Sequence, residues 1–244
     1  MIPISRCLLL GINNKSSFAS VAADEEGIGK GRMRLTLKPL ATILLLVSCA
    51  VTLAGLWPGL FEQLLQNGGF FPAQFLDKGT ILPDSIFAIS VWLTPFTAPF
   101  IHGSIFDLLL PGLLLLFLGG MVEDLLGWPG LLLLFITGIL AATAAILIVA
   151  GDVSRPFFGS FNTVSAIVGA YLILRPNHAM PGWRGLSARN ARKLQLLLLW
   201  LIINVVINVG PLDSLLINLV PTMASFTAGI MLAHPLLLWK YRKA

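Results

Sequence analysis

The sequence predicts an all-α, multi-pass membrane protein, a bundle of six transmembrane helices with a short fourth helix at its centre. Three observations predict it. Of 244 residues, 57% are hydrophobic and 11% charged, against about 25% charged in an ordinary soluble domain. Mean hydropathy is +0.89. Leucine-rich runs, punctuated by glycine and proline, recur at lengths that suit a bilayer. So apolar a composition excludes a secreted soluble enzyme, a nucleic-acid reader and a disordered scaffold. The formal net charge of +5 then reports loop orientation rather than an acidic ligand.

Residues 1–34 are polar and mixed in charge, and read as a flexible cytoplasmic tail before a membrane domain at 35–244. Within that tail, Cys7–Leu10 is too short for a secretory signal core, and Asp24-Glu25-Glu26 speaks against an organelle transit peptide. Met33 opens the basic segment leading into the first span, so the ordered protein is expected to start near it. Windows of about 18–20 apolar residues place spans at Leu40–Trp57, Ile105–Leu126, Leu131–Ala150, Asn162–Leu174, Leu194–Val209 and Thr222–Trp239. Gly127-Trp128-Pro129-Gly130 predicts a tight turn between the second and third. Gly210-Pro211 ends the fifth, and Pro221 suits the first turn of the sixth. Trp57, Trp128, Trp183 and Trp239 fall near span ends, where an indole is at home.

The fourth span is short. About 13 residues reach only about 20 Å, against a hydrocarbon core of about 30 Å. The connection Gly151–Ser160 is therefore expected to dip into the bilayer, where irregular backbone survives only if protein or water surrounds it. The loop Pro58–Ser104 is long, aromatic and nearly uncharged, so stretches such as Phe70-Phe71-Pro72 and Ile86-Phe87-Ala88-Ile89 are expected to lie in the interface.

Fourteen of the 16 basic residues fall on one side of these spans, leaving Lys78 and Arg155 on the other. Both termini are thus expected in the cytoplasm, the host membrane being taken as a bacterial plasma membrane. Cys7 and Cys49 offer neither a disulfide framework nor a metal site, and no phosphate loop or ligand cluster stands out. No cofactor or metal is implied.

Phe100-Ile101-His102-Gly103-Ser104, a leucine stretch, and then Gly119-Gly120-Met121-Val122-Glu123 are similar to the F-x-H-x-S and G-G-x-x-E ends of one helix in the rhomboid intramembrane serine proteases. Trp92-Leu93-Thr94 and Phe96 resemble the approach to that helix. Gly159 to Tyr171, closing on Gly169-Ala170-Tyr171, resembles the short serine helix, and Phe226-Thr227-Ala228-Gly229 the helix that carries the histidine. The resemblance runs in unbroken order from Trp92 to Trp239. It implies a rhomboid-like bundle in which Gly119, Gly120, Glu123, Gly169 and Gly229 are structural.

The family's dyad chemistry does not carry over. In it a serine hydroxyl attacks, an imidazole takes the proton, and donors hold the oxyanion. Counting back from Gly169 sets Phe161 in the nucleophile's place, and counting back from Gly229 sets Thr222 in the histidine's. In the second span, Asp107 replaces a second histidine and Pro111 the oxyanion asparagine. Phenylalanine cannot attack, threonine accepts no proton at neutral pH, and proline has no donor. Ser160, one residue off, and Ser165, a turn along, approach the same cavity, but a nucleophile needs a base within about 3 Å. His178 and His234 fall towards the cytoplasm, and His102 matches a position that reads as structural. Spacing alone therefore supplies no dyad, and His102, Ser160, Asn162 and Ser165 remain candidates for a residual cavity.

Other polar groups have plain readings. Glu123 is expected to accept from neighbouring backbone amides rather than to carry protons. Asp107 either lines the cavity with Ser160, Asn162 and Thr222 or snorkels to the interface. Asn204, Asn208 and Asn218 suit hydrogen bonds between helices. The resemblance implies a proteolytically inactive rhomboid-like protein whose partners are membrane lipids and the transmembrane helices of client proteins, with no nucleic acid; it implies nothing about oligomeric state. Two alternatives stand beside it: an active intramembrane serine endopeptidase with a displaced serine–histidine pair, and a small transporter or channel.

Overall fold

The computed structural model describes residues 38–76, 89–174, 188–207 and 212–242. Helix α1 spans Pro39–Gly55, starting where Pro39 brings a preset φ and no N–H to leave unpaired. Two short helices follow, α2 (Leu60–Gly68) and α3 (Pro72–Leu76). After 3-10 turns at Val91–Leu93 and Ala98–Phe100, with α4 (Thr94–Thr97) between them, the chain enters its longest helical stretch. This comprises α5 (Ile105–Leu114), a π-helical turn at Leu115–Gly119, and α6 (Gly120–Ala150). Three further helices complete the described chain: α7 (Phe161–Leu174), α8 (Ala188–Ile207) and α9 (Leu212–Tyr241).

Two helical stretches are long and apolar enough to cross a membrane, Ile105–Ala150 and Leu216–Tyr241. Three shorter apolar helices accompany them, at Pro39–Gly55, Phe161–Leu174 and Leu194–Val206. The expected turn around Gly127 is a break of one residue, with Gly127 at φ 76° and ψ 171° and helix on either side. Ala98, before α5, packs with Ile146, near the end of α6. The arm beyond Gly127 therefore returns alongside the first.

Eight of the 14 residues of α7 are buried, against four of 17 in α1. Helix α7 is thus the central element, packed between α9 and the second arm of α6. Small residues permit this crossing. A Cβ on Gly169 would overlap the Phe226 carbonyl of α9, and one on Gly229 would overlap the Ala166 carbonyl of α7. The two backbones meet where only hydrogen fits.

Two expectations need correction. Pro221 does not open the last helix, which begins at Leu212 and runs through it. One residue on, Thr222 Oγ1 lies 2.9 Å from the Asn218 carbonyl of the preceding turn. Phe70 is not an exposed side chain on the surface. It is 1% exposed, packs with Ala98, Ile146 and Ala150, and forms an antiparallel bridge with Phe157. The amide of each donates to the carbonyl of the other, at 2.9 and 2.7 Å. The 1–34 tail, Ile86-Phe87-Ala88, His178 and Asn208 lie outside the described residues.

One end of the bundle is tied by charge. The Glu123 carboxylate accepts from the amides of Leu40 and Ala41 at 3.1 and 3.0 Å, capping the first turn of α1. Lys38 pairs with Asp124. Lys240, at the end of α9, donates to the carbonyls of Asp124 and Leu125 at 3.3 and 2.9 Å.

Candidate functional site

The site lies at the other end of α5, where three segments meet. Ser104 caps α5, its Oγ accepting from the Asp107 amide at 3.2 Å. This cap fixes the preceding residues Ile101–Gly103 and drives His102 inward, where it is 3% exposed. On the facing segment, the Gly159 amide donates to the Ala98 carbonyl at 2.9 Å. Gly159 takes φ +93°, a conformation that a side chain would strain. That turn delivers Ser160, 4% exposed, to the start of α7.

His102 and Ser160 touch. Nε2 of His102 lies 3.0 Å from Ser160 Oγ and accepts from the Ser160 amide at 3.3 Å. On the other edge of the ring, Nδ1 lies 3.3 Å from the Phe100 carbonyl and 3.4 Å from Thr52 Oγ1, which gives its own proton to the Ser48 carbonyl at 2.7 Å. A carbonyl can only accept and an amide can only donate, so the proton sits on Nδ1 and the lone pair on Nε2. Burial pushes the His102 pKa below its usual value, opposed by the Phe100 carbonyl and by the charge of Asp107. The imidazole is neutral. The expectation that no base stands beside a hydroxyl is thereby corrected. The two residues are 58 positions apart, and only the tertiary fold brings them together.

A second pair joins α7 to α9. Thr222 Oγ1 donates to Asn162 Oδ1 at 2.6 Å. The residue that faces Thr222 is therefore Asn162, not Phe161. Phe161 turns towards α8 and stacks on Trp200, with ring centroids 5.1 Å apart, and Trp200 continues the stack to Phe226.

Between these pairs lies a cavity of about 500 Å³. Among its lining residues are the expected His102, Asp107, Pro111, Ser160, Phe161 and Asn162. Thr222 stands behind Asn162, fully buried. Ser165 is also fully buried and gives its hydroxyl to the Phe161 carbonyl at 2.7 Å, so it takes no part in the cavity. Sequence reasoning missed Arg155 and Asn218, both on the lining. A signal for Arg155 exists, since it is one of only two basic residues left on its side of the chain.

A family model for the rhomboid domain matches residues 90–238, more than half of the chain and the whole of this cavity. The chain belongs to the rhomboid family. No curated protein matches it. As a rhomboid it is an all-helical membrane protein. Helices α7 and α9 are joined here by an amide and a hydroxyl, while the imidazole bound to serine comes from the start of α5.

Proposed function

We propose that this rhomboid-family protein binds transmembrane segments of client membrane proteins without cleaving them. One observation carries the reading: the contact that joins α7 to α9 behind the cavity wall is Asn162–Thr222. An amide oxygen does not attack a peptide carbonyl, and a threonine hydroxyl does not take up a proton at neutral pH. Pro111, in the place of an oxyanion donor, has no N–H to give. What remains is a bundle with a short central helix and a side cavity. The reading includes six spans, with α5 and the two arms about Gly127 counted as two. It also puts both termini in the cytoplasm, which the joining of Lys38 and Lys240 to one acidic turn supports.

The contact between Ser160 and His102 favours a second reading, that of an active protease with a displaced pair. Against it, Nε2 accepts from the amide of the same serine, and only 4% of Ser160 is exposed. Such a pair pins the start of α7 to the start of α5. Fluorophosphonate labelling of the purified full chain separates the two readings. The expected result is no labelling; labelling that disappears in both Ser160→Ala and His102→Ala would establish the protease. In native membranes, a photocrosslinker at Phe106, which is 83% exposed, is expected to capture client chains at full length, whereas truncated clients would mark cleavage.

A further inference from the structure

The cavity carries two opposite charges that do not meet. Asp107 on α5 and Arg155 on the segment before α7 both line it, and no ion pair joins them. Among the described residues the Asp107 carboxylate has no hydrogen-bonding partner, and the Arg155 guanidinium lies over the Phe157 ring, 5.2 Å from its centroid. Each charge sits in a matching polar setting. Asp107 lies in the first turn of α5 on the same lining as Pro111, which has no N–H to donate. On the same lining as Arg155, Asn162 has its Oδ1 taken by Thr222, which leaves its NH2 as a donor. Phe106 and Leu110 form an apolar wall, and Phe106 continues onto the exposed apolar surface of α5 with Ile105 and Leu109.

An acceptor pole, a donor pole and an apolar exit are together the complement of a zwitterionic amphiphile. We propose that the cavity binds the headgroup of an aminophospholipid, with its primary ammonium at Asp107, its phosphate at Arg155 and Asn162, and its chains leaving along Phe106. Nothing in this depends on whether clients are bound or on the reactivity of Ser160. The ammonium must carry N–H donors for a carboxylate to hold it by hydrogen bonds, so a quaternary amine fits poorly.

The test is binding of short-chain phospholipids to the full chain in detergent, read by native mass spectrometry. Phosphatidylethanolamine is expected to bind about tenfold more tightly than phosphatidylcholine or phosphatidylglycerol, the scale of one charge-assisted hydrogen bond. Asp107→Asn is expected to abolish that preference, and Arg155→Gln to weaken all three lipids by a similar factor. Both side chains are exposed at the cavity rim, and unchanged melting midpoints without lipid are expected to confirm that the variants fold. Equal binding of the three lipids, or a preference that survives Asp107→Asn, would overturn the proposal. So would binding of glycerophosphoethanolamine as tight as that of the lipid, which would make the ligand a soluble headgroup.

Discussion

The two ends of the bundle treat charge in opposite ways. At one, Glu123 caps α1, Asp124 pairs with Lys38, and Lys240 reaches the carbonyls of the same turn. At the other, Asp107 and Arg155 share a cavity without meeting. Ionisable groups are costly near a bilayer and persist where they are paired or where they serve something else. Paired charge at the first end holds helices together; unpaired charge at the second is free to meet a ligand.

The sharpest way to break this contrast is to remove one carboxylate from each end. Glu123→Ala leaves the amides of Leu40 and Ala41 without their acceptor beside a buried side chain, and is expected to cost about 3 kcal/mol. Asp107→Ala removes no hydrogen bond made by that side chain and is expected to stay within about 0.5 kcal/mol. Thermal unfolding in one detergent compares the two directly. Equal losses would erase the distinction between a structural and an available charge.

A smaller effect is expected at His102, which is structural and yet belongs to the cavity end. His102→Ala breaks the pin between α5 and α7 and is expected to cost about 2 kcal/mol, while Ser160→Ala, which keeps the amide bond to Nε2, costs about 1 kcal/mol. The pH dependence has a definite sign. Burial holds the folded pKa below the usual 6.5, so on acidification the unfolded chain takes up the proton first. The stabilisation from His102 is complete above about pH 6.5 and is lost as pH falls towards the lower folded value. Melting midpoints of the wild type and His102→Gln should therefore lie further apart at about pH 7.5 than at about pH 5. A gap that widens in acid would mean that the folded imidazole is charged.

How far the sequence carries follows from which residues decide each feature. Hydrophobic run lengths and Gly-Pro punctuation locate α1, the two arms around Gly127 and α7, because those signals are local. The Gly169–Gly229 crossing is also legible, since close packing demands small residues on both helices. The start of α9 was hidden because Pro221 reads as a helix beginning, and only tertiary contacts keep it inside a longer helix. The pair His102–Ser160 spans 58 residues and has no local signature. Register is the subtlest loss. Successive residues of a helix point about 100° apart, so a count along the chain that stops at Phe161 does not reveal that Phe161 faces Trp200 while its neighbour Asn162 faces Thr222.

That one-residue difference yields the smallest expected effect and the most specific one. Thr222 Oγ1 and Asn162 Oδ1 are 2.6 Å apart. Replacing asparagine by serine shortens one arm, and replacing threonine by histidine lengthens the other, so the pair retains its reach. Asn162→Ser with Thr222→His is therefore expected to create weak cleavage of a generic rhomboid substrate. Phe161→Ser with Thr222→His is expected to create none, because position 161 faces α8. Cleavage by the first pair stays weak because Pro111 offers no oxyanion donor, a deficit of about 10²–10³ in kcat. Adding Pro111→Asn to it should recover part of that factor. Activity in the Phe161 variant alone would move the register back by one residue, and the Asn162–Thr222 contact would then be packing rather than the remnant of a catalytic pair.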